Sequence, residues 1–315
     1  MDYIVFDLEW NQCPYGKSQE NEKLPFEIIE IGAVRMNENK EILDTFHTYV
    51  KPVVYRKIHF RTQQVIGLSM EDLRHGKRFV DAAREFLDFC GDDYRFCTWG
   101  SLDLFELLRN LKYYGMDDIL EAPLFYDDVQ KLFALTYETK NDRRALSYAA
   151  DFLKLSRDGD FHHALDDAMY TARVLATIPD EIIRENYSVD YFKVPQTKDA
   201  ELSIHYKTYT KFISRPFDLK EELVQDRRIS AVHCFACNRI VRKKVRWFSL
   251  NSRVYISVGQ CPDHGLVQSK LRVKKSEDGR VFAVKTTKLI DEEKLAEIRR
   301  HQAEVRKKRR EKRKH

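Results

Sequence analysis

Residues 3–10 read Tyr-Ile-Val-Phe-Asp-Leu-Glu-Trp, an apolar run carrying two acids two positions apart. In a β-strand successive side chains alternate faces, so Asp7 and Glu9 share one side while Phe6 and Leu8 pack the other. Two carboxylates standing side by side among apolar neighbours repel unless something positive lies between them. A hard divalent cation with oxygen ligands answers that need. Taken alone, the stretch is equally consistent with an edge strand whose acids face water.

The following residues supply the rest of a mixed α/β pattern. Asn11 to Phe26, broken by Pro14, Gly16 and Pro25, reads as a long surface loop of the kind that contacts substrates. Glu27 to Met36 and Ile42 to Lys51 read as strands joined in an antiparallel hairpin through Asn37-Glu38-Asn39-Lys40. Phe79 to Phe89 has helical spacing, Tyr94 to Trp99 is a further apolar run, and Leu102 to Leu111 is again helical. Asp103 stands at the start of that helix. Ser101 can cap the helix equally well, which frees Asp103 for another role. Helical stretches follow at about Asp127 to Tyr137, Arg143 to Leu155 and Ala164 to Leu175. On the last of these Asp167 faces inward with Thr171 and Val174, whereas Asp166 shares its side with Tyr170 and Arg173 and is the solvated acid. His162 precedes Asp167 by five residues; such a pair by itself is more often structural than catalytic.

The ordered set is far more specific than any member. Phe6-Asp7-Leu8-Glu9, Glu27-Ile28-Ile29-Glu30-Ile31-Gly32-Ala33, Trp99-Gly100-Ser101-Leu102-Asp103 and His162-His163-Ala164-Leu165-Asp166-Asp167-Ala168 together resemble the DEDDh branch of the DnaQ-like 3′–5′ exonucleases. Within that branch the Trp-Gly-x-x-Asp and His-x-Ala-Leu-Asp-Asp-Ala forms are most like the histone-mRNA 3′ exonuclease and KapD-like subgroup. The resemblance covers roughly residues 1–180 and implies a ribonuclease H-like mixed sheet flanked by helices. It also implies Asp7, Glu9, Asp103 and Asp167 as ligands of two Mg²⁺ or Mn²⁺ ions, with His162 as general base. His163 beside it leaves open which imidazole reaches the site, and Ser101, where relatives often carry a bulkier or acidic residue, leaves substrate preference open.

Charge divides the chain. Residues 1–190 carry 23 Lys+Arg against 35 Asp+Glu, a net of −12, and residues 191–315 carry 32 against 15, a net of +17. A basic half suits attraction to a polyanion. It also contains Cys234-x2-Cys237 and Cys261-x2-His264, two knuckles that read as a structural zinc site of ribbon type. Val245 to Leu250 and Arg253 to Val258 alternate like the ribbon's hairpin. Arg242, Lys243, Lys244, Arg246, Trp247 and Arg272 interleave cations with an aromatic ring, as a single strand requires, and Trp10 is a further candidate for nucleic-acid contact. The alternative is a solvated basic face with Trp247 in a small core. Asp291 can cap a last helix that runs into Arg306 to Lys314.

The expected domains are a nuclease-like domain at 1–180, a connecting segment at 181–207, a small β-rich basic zinc-binding domain at 208–290 and a basic helix or tail at 291–315. No run of about 18 apolar residues is present, so no membrane-spanning helix is expected. Met1-Asp2-Tyr3 leads directly into the first strand, which argues against a signal peptide and for a cytoplasmic protein. Cys13, Cys90 and Cys97 are then simple core or loop thiols. The expected function is metal-dependent 3′–5′ removal of nucleoside 5′-monophosphates from single-stranded nucleic acid, RNA before DNA. A DNA-directed repair exonuclease, and a regulatory protein using the fold as an interaction platform, are the alternatives.

Overall fold

A computed structural model describes residues 1–138, 142–156 and 162–311 and divides the chain into two units, 1–192 and 193–315. Phe161, Lys312, Arg313 and Lys314, which belong to stretches singled out above, lie outside the described residues.

In the first unit the order is β1 (Asp2–Gln12), β2 (Phe26–Met36), β3 (Ile42–Tyr49), α1 (Phe60–Ile66), α2 (Met70–Leu73), α3 (Phe79–Cys90), β4 (Tyr94–Thr98), α4 (Leu102–Tyr113), β5 (Phe125–Asp128), α5 (Val129–Tyr137), α6 (Leu146–Phe152), α7 (Ala164–Thr177), α8 (Asp180–Glu185) and β6 (Ser188–Val189). The strands form one mixed sheet in the order β3-β2-β1-β4-β5-β6. β1 is antiparallel to β2 and parallel to β4, so it lies in the interior of the sheet rather than at an edge. That removes the solvated-edge reading of Asp7 and Glu9.

Alternation along β1 builds a core on each face. Ile4, Phe6 and Leu8 pack against α3 and α4, with the Phe6 ring 5.1 Å from Phe96 and 5.5 Å from Phe86. Tyr3 and Val5 pack on the other face against α5, α6 and α7, through Phe133, Ala150, Ala168 and Leu175. By the same alternation Asp7 and Glu9 belong to the α7 side.

The second unit contains β7 (Leu202–His205), β8 (Tyr209–Ile213), α9 (Lys220–Gln225), α10 (Arg227–Ser230), β9 (Arg242–Ser249), β10 (Val254–Cys261), β11 (Gly265–Lys275), β12 (Val281–Ile290) and α11 (Glu292–Glu311). Its sheet is antiparallel throughout, in the order β7-β8-β12-β11-β10-β9. One face is covered in part by α11, whose Leu295 and Ile298 pack on Val245, Ile256, Val258 and Leu266. The other face holds Leu271, Val273 and Ala283 against Leu223 of α9 and Ile229 of α10.

Two expectations about this half are corrected. The hairpin read from Val245 to Leu250 and Arg253 to Val258 exists as β9 and β10, but it is part of a six-stranded sheet rather than a lone ribbon. Segment 181–207 is not a plain connection: α8 and β6 belong to the first unit and β7 to the second. These elements span 6, 2 and 4 residues, too short for either period to register. The unit boundary accordingly falls at 192/193 rather than at 180 or 208.

Candidate active site

Five residues chosen from the sequence come from three separated stretches. Asp7 and Glu9 project from β1, Asp103 opens α4, and Asp167 lies one turn into α7 behind His162. Asp103 does not cap its own helix. Its Oδ1 accepts a hydrogen bond from the Leu8 amide of β1 at 3.4 Å, which ties the start of α4 to the strand carrying the other two acids. Glu9, His162 and Asp167 present ligand atoms that all lie within 4.8 Å of one another. His162, not His163, is therefore the imidazole at this cluster, and Asp167, not Asp166, is its helix acid. The His162 backbone adopts φ 75°, in the left-handed region, and its amide donates to Asp167 Oδ2 at 3.3 Å. A non-glycine residue held there is a common mark of a functional loop.

Gly32 explains how α7 comes so close. A Cβ at this β2 position would collide with the backbone of Ala164 and Leu165 in the first turn of α7, so only glycine lets the helix start rest on the strand. Gly32 pairs with Asp7 in the β1–β2 register, and the same approach brings Asp167 to the acids of β1. Gly32→Ala is expected to destabilise the fold by at least about 3 kcal/mol, the upper range for forcing extra volume into a packed core. Its thermal midpoint should fall by roughly 6 to 12 °C; a midpoint within a degree of wild type in a thermal scan would show that α7 does not depend on this contact.

The carboxylates carry charge that their protein neighbours leave uncompensated. Among the described residues no Lys or Arg is paired with Asp7, Glu9, Asp103 or Asp167. Burial, and then the charges of Asp103, Glu9, Asp167 and Glu30, push Asp7 well above the ordinary carboxyl range. Burial followed by Asp167, Glu30 and Asp103 pushes Glu9 up to about 9. Burial likewise takes Asp103 to about 7 against the pull of backbone donors, and it raises Asp167. Asp167 Oδ1 is buried without a hydrogen-bond partner. Crowded oxygen donors, one of them orphaned and none paired with a Lys or Arg among the described residues, form a donor set suited to hard divalent cations.

One acid in this group was not singled out from its sequence position. Glu30 of β2 lies opposite Glu9 in the register and is 1% exposed. Its Oε1 meets His47 Nε2 at 2.8 Å, while Oε2 is buried without a partner. The available signal is an acid inside an apolar strand two residues before Gly32, on the face that Gly32 presents to α7.

The remaining sequence candidates lie elsewhere. Trp10 is half-buried and packs against Phe26 with ring centres 5.8 Å apart. Trp247 is half-buried in the second unit, and its indole N–H donates to the Ser230 carbonyl at 2.8 Å. Both rings are engaged in packing, so a stacking role does not follow from their positions. Arg242, Lys243, Lys244, Arg246 and Arg272 are exposed.

Cys234, Cys237, Cys261 and His264 do converge, with ligand atoms within 4.8 Å of one another. Cys237 and Cys261 sulfurs are 3.8 Å apart, and Cys261 Sγ is 3.6 Å from His264 Nδ1. Ligands tetrahedrally placed on one zinc stand roughly 3.3 to 3.8 Å apart. The first pair sits in a turn closed by the Asn238 amide on the Cys234 carbonyl; the second spans the β10–β11 turn, where Gly265 has φ 84°. Burial alone would raise the Cys261 thiol, but hydrogen bonds from His264 and the turn amides bring it down to about 6, a thiolate suited to a metal.

Comparison with known proteins bears on the first unit. Residues 4–175 match the family model described as Exonuclease. The chain is similar to the probable 3′–5′ exonuclease KapD of Bacillus subtilis (strain 168), 25% identical over 182 residues that make up 56% of this chain and 84% of the relative. It is also similar to 3′–5′ exoribonuclease 1 of Homo sapiens, 26% identical over 191 residues, 55% of this chain and 51% of that protein. Among solved structures, the nuclease domain of 3′hExo, described as a DEDDh family member bound to rAMP, superposes with a TM-score of 0.51 at 20% identity. That match covers 59% of this chain and 96% of the other, and it bears on the fold.

Proposed function

Since the chain belongs to the Exonuclease family, matched over residues 4–175, we propose that it removes nucleoside 5′-monophosphates one by one from the 3′ end of a single strand. In this reading RNA is preferred to DNA and two Mg²⁺ or Mn²⁺ ions are used. The observation that carries the reading is the convergence of Asp7, Glu9, Asp103, Asp167 and His162 into one buried-to-open cluster with no compensating Lys or Arg among the described residues.

Asp7, Glu9, Asp103 and Asp167 would hold the cations. When bound, a pair of such ions stabilises charge on both the attacking and the leaving oxygen of an in-line phosphodiester displacement. His162 is exposed, so its imidazole meets water arriving from solvent and can take that water's proton as general base. Its amide fixes Asp167 at the same time, so the base and one ligand are set by a single turn of backbone. The leaving 3′ oxygen stays on the shortened strand, and the product is a 5′-monophosphate. The human relative's description as an exoribonuclease favours RNA. In the second unit, Cys234, Cys237, Cys261 and His264 would hold a structural Zn²⁺.

The test is a time course on 5′-labelled single strands of RNA and DNA of one sequence, with Mn²⁺ or Mg²⁺. The expected result is a ladder shortening from the 3′ end, faster on RNA. Early release of the labelled 5′ nucleotide, or full-length strands in both lanes, would overturn it; intact strands that remain bound would favour the interaction-platform alternative.

A further inference from the structure

The face of the second sheet that α11 covers only in part carries a groove of about 510 Å³. Its floor is a repeating pattern on β11. Gln268, Lys270 and Arg272 follow at every second position, so their side chains share the face on which Leu266 meets α11. Lys288 of β12 pairs with Gln268 in the register, and Tyr209 of β8 pairs with Lys288, which sets tyrosine, lysine and glutamine side by side across three strands. Lys294 of α11 forms the opposite wall.

Two features separate this groove from an ordinary solvated basic face. First, its cations are not matched by acids. Glu297 is the one acid lining it and is already bound to Lys294 at 2.5 Å, while no acid partner pairs with Lys270, Arg272 or Lys288 among the described residues. Lys270 is lowered by burial and then by Arg272, Lys288 and Lys294, so these groups are close enough to repel. Second, Gln268 is 7% exposed, and its Oε1 is buried with no hydrogen-bond partner. A buried carboxamide oxygen left unpaired is costly, and a ligand N–H in the groove would satisfy it.

We propose that this groove binds single-stranded nucleic acid, with Lys270, Arg272 and Lys288 on successive phosphates and the Gln268 carboxamide accepting an N–H from a base. Side chains two residues apart on a strand are about 7 Å apart, a spacing that an extended phosphodiester can follow. Tyr209, half-buried with one ring face stacked on Tyr206 at 4.3 Å, sets an aromatic edge at the groove that a lone phosphate would not use, and a concave site of this size does not fit a flat lipid surface. The site extends the reaction proposed above to the holding of the strand, and it can fail independently, because binding is read without cleavage.

The experiment uses the full chain, without added divalent cation, and a fluorescent single-stranded RNA of about 12 nucleotides, within the usual range of single-strand site sizes. Affinity is measured across a salt series for wild type, Lys270→Ala/Lys288→Ala, Lys270→Arg/Lys288→Arg and Gln268→Leu, each checked for a wild-type melting curve. Losing two phosphate contacts should reduce the slope of log K against log salt by roughly 1.4, and the arginine pair should restore it. Gln268→Leu should weaken binding about 2- to 10-fold, the weight of one hydrogen bond, with the slope unchanged. An unchanged slope in the alanine pair, wild-type affinity in Gln268→Leu, or capture of anionic vesicles in place of the oligonucleotide would each overturn the proposal. Hydrolysis of a p-nitrophenyl nucleotide ester, too short to need the groove, reports on the catalytic reading separately.

Discussion

Asp7→Ala should reduce 3′-end shortening by at least about a thousandfold, because several kcal/mol of transition-state charge stabilisation depend on cations this carboxylate would hold. Binding of the strand should survive, since the cations that attract phosphate belong to other residues. The sign of the stability change separates lost chemistry from lost structure. Asp7 is buried among like charges that already raise it, so without divalent cations the alanine variant should melt no lower than wild type. Wild type should then gain about 2.7 kcal/mol at a hundredfold excess of Mn²⁺ over its dissociation constant, or roughly 5 to 11 °C, and the variant much less. Cleavage at the wild-type rate, or an equal Mn²⁺ shift in both proteins, would refute the assignment of Asp7.

Cys261→Ser should unfold the knuckle region of residues 193–315. Structural zinc contributes apparent free energies of about 10 to 16 kcal/mol in small domains, comparable with the whole stability of an ordinary domain, roughly 5 to 15 kcal/mol. Cys261 is fully buried and stands in hydrogen-bond range of both Cys237 and His264, so no neighbour can replace its sulfur. Metal analysis of the purified wild type should find one zinc per chain, and of the variant essentially none. Proteolysis in limiting amounts should cut the variant near Cys234 and Cys237 where wild type resists. A metal-free wild type with the same protease resistance would remove zinc from the account.

How much of this was legible beforehand follows from the physics of each element. β1 was readable because it is an apolar run of strand length in which Asp7 and Glu9 alternate with Phe6, Leu8 and Trp10, and the spacing of His162 and Asp167 survives in any helix that starts between them. Asp103 was readable only with the other acids, since a helix-start aspartate alone suggests a cap, and its bond to the Leu8 amide is a tertiary fact. Glu30 was hidden because its meaning depends on the strand register opposite Glu9. β11 and β12 escaped attention for another reason. Both carry polar groups on the buried face: Ser269 and Thr287 hydroxyls meet at 2.9 Å, and Lys285 Nζ donates to the Arg228 carbonyl at 2.7 Å and to those of Ile229 and Ala231. Satisfied pairs of this kind blur the contrast on which a period-two reading depends.

β9 ends the second sheet, with β10 on one side and, among the described residues, no further strand paired on the other. An outermost strand offers free amides and carbonyls to any chain that can add alongside it, and repeated addition leads to fibres. Arg242, Lys243, Lys244 and Arg246 are crowded along this margin, and Gln302 of α11 donates to the Arg246 carbonyl at 3.5 Å. Whatever else these cations bind, their like charge opposes edge-to-edge pairing of two copies at β9, so a cluster suited to polyanions doubles as a guard on an open sheet edge.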